Sequence, residues 1–167
     1  PLGAIEQYVS VVKQAGLKPL SIEFNMLSLY RVMELTGSID ERGTFLLIDA
    51  GKRVSGFGLF HGGQLKMMRP LQIHFAENNA CDDLLHEVGR LINFYRYTLN
   101  NRYGELRRIV LAGDAPGLKD IAGRIRERFA LEADILFSEN IRCDMADYET
   151  LFPAVAVPVG LALRGKP

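Results

Sequence analysis

The sequence has no tryptophan, only two cysteines, three histidines and no excess of either charge. Each shortage excludes something. Cys81 and Cys143 cannot build a disulfide framework or a four-cysteine zinc site. His61, His74 and His86 stand at no metal-ligand spacing from one another or from a cysteine, so no metal centre is expected. Lys plus Arg and Asp plus Glu number 20 each. That balance argues against a broad electrostatic grip on nucleic acid, which needs clustered excess base. No run approaches the ~20 apolar residues that span a bilayer. The nearest, Leu151 to Leu163, is too short and is broken by Pro153 and Pro158. No signal-peptide pattern opens the chain. It begins at Pro1 rather than Met, which reads as a boundary inside a longer chain.

What remains is an ordinary globular balance: 167 residues, 48% hydrophobic and 24% charged. This length suits one domain, or two small lobes sharing a chain. Apolar spacing predicts an amphipathic helix over Ala4 to Leu17, with Ile5, Tyr8, Val9, Val12 and Ala15 on one face. Leu20, Ile22 and Phe24 alternate with polar residues and predict a half-buried strand. Asn25 is placed to cap a helix over Met26 to Leu35. Thr36 to Gly43 is polar and glycine-bearing, and reads as a linker between lobes.

Beyond the linker the pattern predicts an α/β lobe with a mixed sheet. Strands are expected at Thr44–Asp49, Val54–His61, Gln64–Leu71, Leu106–Ala112 and Ala133–Phe137. The triplet His61-Gly62-Gly63 signals a hairpin. Helices are expected over Asp82–Tyr103, Gly117–Phe129 and Pro153–Leu163. The longest carries Leu84, Leu85, Val88, Leu91, Ile92, Tyr95 and Leu99 on one face.

Candidate chemistry is sparse. Ser10 and Lys13 form an S-x-x-K on the first helix, but the companion motifs of an acyl transferase are absent. Gly56 and Gly58 lie inside a strand rather than between a strand and a helix, so they are no dinucleotide fingerprint. They read instead as places where another backbone comes close. Asp49-Ala50-Gly51 follows a buried strand, where an acid can hold hydrated magnesium or orient a water at a phosphate. The competing reading is a plain turn. Gly113-Asp114-Ala115-Pro116-Gly117 joins a strand to a helix, where backbone amides can face an anion or a nucleoside. The competing reading is a βα turn with proline near the helix start.

Taken in order, these stretches resemble the second half of the actin-like ATPase (ribonuclease H-like) fold. The wording is closest to the type IV pilus assembly protein PilM family and its relatives in type II secretion. The carrying phrases are YVSVVKQAGLKPLSIEFNMLSLYRV, FLLIDAG, HEVGRLINFYRY, RIVLAGDAPGLKDIAGRI and FPAVAVPVGLALRG, which span about Tyr8 to Gly165. The resemblance implies that residues 1–40 close a first actin-like lobe and that 44–165 form the second. It implies that Asp49 and Gly51 sit on the second phosphate motif, facing magnesium and the attacking water. Glu87 and Arg90 fall on the helix that meets ribose and adenine, and Gly113 begins the adenosine loop.

The sequence departs from that pattern in ways that bear on activity. The first phosphate loop belongs to the N-terminal half, outside these residues. Lys52, Arg53 and Val54 displace the small hydroxyl residue expected after D-x-G. Asp114 follows Gly113 where a second glycine is usual. Only a short connection separates the third strand from the long helix, too short for the subdomain that walls the nucleotide cleft. Without that wall, Glu87 and Arg90 are expected to face water. Phosphoryl transfer needs several positioned groups at once. The resemblance therefore implies a non-enzymatic scaffold on the cytoplasmic side of the bacterial inner membrane. It would bind the tail of a PilN-like inner-membrane protein, contact a motor ATPase, self-associate, and bind no nucleic acid. Tyr95, Tyr97 and Tyr103 are candidate aromatic anchors, with Tyr95 on the apolar face. ATP and magnesium are implied only for the full-length protein, and the alternative is a fragment of an ATP-binding actin-like ATPase.

Overall fold

The computed structural model describes residues 2–37, 43–73, 75, 79–99, 104–137 and 147–165. A five-stranded sheet runs in the order β3-β2-β1-β4-β5. Its strands are β1 (Thr44–Ala50), β2 (Val54–His61), β3 (Gln64–Gln72), β4 (Leu106–Ala112) and β5 (Glu132–Ile135). The first three form an antiparallel meander, and β4 and β5 extend it in parallel from β1. The helices are α1 (Leu2–Gln14), α2 (Asn25–Thr36), α3 (Ala80–Phe94), α4 (Leu118–Phe129) and α5 (Tyr148–Ala162).

The central strand is covered on both faces, which is why its sequence is apolar without alternation. Leu46, Ile48 and Ala50 face the layer built from α3 and α4. Phe45 and Leu47 face the layer built from α2 and α5. The β2–β3 hairpin turns at Gly62 and Gly63, both at positive φ, and His61 pairs with Gln64. Two successive positive-φ residues are what a type I′ turn demands. On the α2 face, Tyr30, Phe60 and Phe45 stack, with Tyr30–Phe60 and Phe45–Phe60 centroids 4.8 and 5.3 Å apart.

Most predicted elements are present, with several differences. Residues 17–24 are not a strand: Leu20 is 88% exposed, and Ile22 and Phe24 are each 59% exposed. Alternation marks a half-buried face, but a strand also needs a neighbour for its backbone groups, and none of the described strands pairs with this segment. α1 forms, yet its predicted apolar face is open, with Ile5 and Tyr8 exposed and Val9 and Val12 half-buried. Asn25 does not cap α2 but is its first residue, and its side chain points to Asp49 instead.

α3 stops at Phe94 and continues as a π-helical turn over Tyr95–Leu99. Tyr95 is buried and its hydroxyl donates to the Gly104 carbonyl, while Tyr97 is exposed. Tyr103 lies outside the described residues, as do His74, Cys143 and most of the predicted linker. The last helix begins at Tyr148, a turn before Pro153.

Gly56 and Gly58 admit a side chain rather than a backbone. A Cβ on either would stand 2.8 Å from the terminal methyl or sulfur of Met26. α2 and α5 cross in contact at Gly160, where a Cβ would fall 1.9 Å from the Ser28 carbonyl oxygen. α2 thus packs directly on the sheet.

Candidate functional site

Two loops meet at the C-terminal ends of β1 and β4, where open α/β sheets commonly place ligands. Parallel pairing of Asp49 with Ala112 fixes them side by side. The Ala115 N–H donates to the Ala50 carbonyl at 2.8 Å, and the Gly113 N–H donates to the Pro153 carbonyl at 2.9 Å. Asp114 then reaches back to the first loop. The Lys52 N–H donates to its Oδ1 at 2.9 Å, and the Lys52 Nζ stands 3.6 Å from its Oδ2. Beside this contact opens a cleft of about 700 Å³, floored by the 113–119 turn and walled by Phe137, Leu151 and Pro153.

Asp49 is half-buried on the α2 face of the sheet, and its Oδ2 accepts from Asn25 Nδ2 at 3.1 Å. Burial pushes its pKa up, the Asn25 hydrogen bond opposes that, and the nearby charge of Asp114 adds to the rise. Gly51 stands two residues on, and its N–H donates to the Asp49 carbonyl at 3.2 Å.

Glu87 and Arg90 lie elsewhere. They ride on α3, against the opposite face of the sheet from Asp49. Contrary to the expectation above, Glu87 does not face water; it is only 3% exposed. Its Oε1 lies 3.1 Å from Arg69 Nη1 on β3, outside hydrogen-bonding geometry, and its Oε2 accepts from Arg90 at 3.4 Å. A buried carboxylate is tolerable only when paired, and the two arginines ion-pair with it. The structure therefore brings Asp49, Gly51 and Gly113 together and leaves Glu87 and Arg90 apart from them.

Among the described residues, the remaining chemistry-bearing side chains form no second centre. Ser10 accepts from Gln14 on the exposed face of α1. His61 shares a 2.8 Å hydrogen bond with Thr44. Burial pushes the Cys81 thiol up against the opposing influence of Arg124, which is tied to Asp82. Among the described residues no three His, Cys, Asp or Glu side chains gather as a metal site would require.

Polar groups of both loops are already engaged within the chain. The carboxylate of Asp49 already has a side-chain donor on one oxygen. Gly113 is packed on Ala50, where a Cβ would stand 2.3 Å from the carbonyl oxygen. The backbone N–H of Lys52 is taken by Asp114. Sequence reasoning located both loops. It missed Asn25, read as a cap, and the walls supplied by Phe137 and Leu151, whose only signal was an apolar character shared with the core.

No family model matches the chain, and no curated protein matches it. Solved structures do. Over 98% of its length the chain superposes on a component of a "PilM-PilN type IV pilus biogenesis complex", with a TM-score of 0.79 and 19% identity. Over 93% it superposes on the ethanolamine utilization protein EutJ from Carboxydothermus hydrogenoformans, with a TM-score of 0.57 and 12% identity. The chain spans 58% of the length of each of these neighbours. These likenesses establish the fold as an actin-like lobe with a mixed five-stranded sheet.

Proposed function

We propose that the chain is a scaffold and adaptor module of a type IV pilus-like or type II secretion-like assembly platform. It holds the cytoplasmic tail of a PilN-like inner-membrane partner and hydrolyses little or no ATP. The observation that carries this reading is the correspondence of nearly the whole chain with a structure solved as a PilM–PilN complex. The loop chemistry supports the non-hydrolysing part, because the donor set around Asp49 is engaged within the chain. The balanced charge suits a protein partner better than a polyanion. Attachment to the membrane runs through the partner in this reading; among the described residues no helix is long and apolar enough to cross a bilayer.

The test is recovery of the tagged full-length protein from native membranes, followed by mass spectrometry. A PilN-like membrane protein should co-purify, and a synthetic peptide of its cytoplasmic tail should bind the purified protein saturably. Phosphate release from ATP should stay at background. Recovery without any pilus or secretion component, or a tail peptide that does not bind, would overturn the reading.

A further inference from the structure

We propose that Asp114 acts as an internal anion: its carboxylate occupies the donor turn after β1 and closes that turn to external phosphate. The inference deepens the non-hydrolysing part of the reading above and rests on it. A turn that presents a backbone N–H beside a lysine ammonium offers an anion two donors. Here both of its donors come from one residue, Lys52, and both are directed at Asp114. The N–H donates to Oδ1 at 2.9 Å, and Nζ stands 3.6 Å from Oδ2.

The N–H half of the contact is positioned by backbone, and the Nζ half rests on a Lys52 side chain that is 69% exposed. Asp114 sits between two anchored residues. Gly113 donates its N–H to Pro153 and lies against Ala50, and Ala115 donates its N–H to the Ala50 carbonyl. An aspartate side chain is short, so fixing its backbone fixes its carboxylate within a small arc. Both Lys52 and Asp114 line the 700 Å³ cleft, which is large enough for a small molecule. Lys119 lines the same cleft. Deleting the Asp114 carboxylate would leave the Lys52 N–H, its ammonium and Lys119 around a cavity whose lining keeps one acid, Glu149. The device costs the protein no metal and no ligand, and it explains why an aspartate stands directly after Gly113.

The experiment compares the wild-type chain with Asp114→Ala and Asp114→Asn, all labelled with ¹⁵N. Each is titrated with inorganic pyrophosphate and, separately, with ATP and magnesium at millimolar concentration. The readouts are the Gly51 and Lys52 amide resonances and the affinity. In the wild type those two amides should not move. In Asp114→Ala they should shift saturably with pyrophosphate, with affinity raised at least about tenfold. Asp114→Asn keeps an acceptor for the Lys52 N–H but no charge, so its gain should be smaller. It also carries the test alone should the alanine variant not fold. Wild-type amides that move as far as the variant's would overturn the proposal, as would folded variants that gain nothing. Binding of the partner's tail peptide is measured on the same wild-type sample. Its loss counts against the scaffold reading alone, so the two failures are distinguishable.

Discussion

Glu23 ties the entrance of α2 to the end of α5, and acid should release it. Its Oε1 accepts from Arg31 Nη1 at 2.9 Å and from the Ser28 hydroxyl at 2.6 Å, and its Oε2 accepts from Arg31 Nη2 at 3.1 Å and from Arg164. Arg31 also donates to the Gly160 carbonyl at 2.6 Å, so the same guanidinium spans both helices. The Arg31 hydrogen bonds hold the Glu23 pKa down from 4.5 to about 2, against the cost of burial, with help from Ser28 and from the charges of Arg31 and Arg164. At ~1.4 kcal/mol for each tenfold in proton affinity, that difference sets a ceiling of about 3.5 kcal/mol. The Arg31 and Arg164 side chains are 26% and 44% exposed, so water screens the cluster. We therefore expect a contribution of about 1–2 kcal/mol. The sign follows from the direction. A carboxylate whose folded pKa is lowered stabilises only while ionised. Its contribution is complete above about pH 5 and fades as the pH falls toward 2. Glu23→Gln keeps the shape and removes the charge. Denaturation of both proteins between pH 7 and pH 2 should show the variant weaker by about 1–2 kcal/mol at neutral pH, with the gap closing on acidification. A gap that stays constant with pH, or no gap at pH 7, would refute the assignment.

Gly160→Ala should cost about 3 kcal/mol or more, because the new methyl would stand 1.9 Å from the Ser28 oxygen and 2.5 Å from its carbonyl carbon, neither of which can yield without moving α2. An unchanged urea midpoint would show that the two helices do not cross in contact there. Asp49→Asn should leave the melting temperature at pH 7 equal or higher. The folded state raises the Asp49 pKa, so ionisation above the usual aspartate range is a penalty that the amide escapes. The difference should vanish below that range, and a large loss at pH 7 would mean that the charged carboxylate is required.

Much of the fold was legible wherever local chemistry and burial agree. The run TFLLID reads as a continuous apolar strand, and the α3–α4 and α2–α5 layers cover it on its two faces. His61-Gly62-Gly63 reads as a tight hairpin because only positive φ closes one. The misreadings share a cause. The alternation of Leu20, Ile22 and Phe24 specifies a face and says nothing about which strand would pair with it. Asn25 is chemically a good cap, but the register of β1 puts a carboxylate within its reach, and that contact prevailed. Glu87 reads as the solvated flank of a helix until β3, folded back by its hairpin, brings Arg69 to it.

The candidate site shows the same division more sharply. D-x-G after β1 and G-D-A-P-G after β4 are each visible as turns at the ends of apolar strands. Taken separately, either could serve an anion. What each does depends on the other, through a contact between residues 62 apart in the chain. Parallel pairing of β1 with β4, in a register that sets Asp49 beside Ala112, brings Lys52 and Asp114 within reach. Once the register is known, the departure from a second glycine after Gly113 ceases to be a mere defect in a nucleotide motif. It supplies the acceptor that satisfies the Lys52 N–H and links the two loops. A module that needed an open nucleotide cleft would be harmed by that residue, whereas one that needed the two loops held together would gain from it.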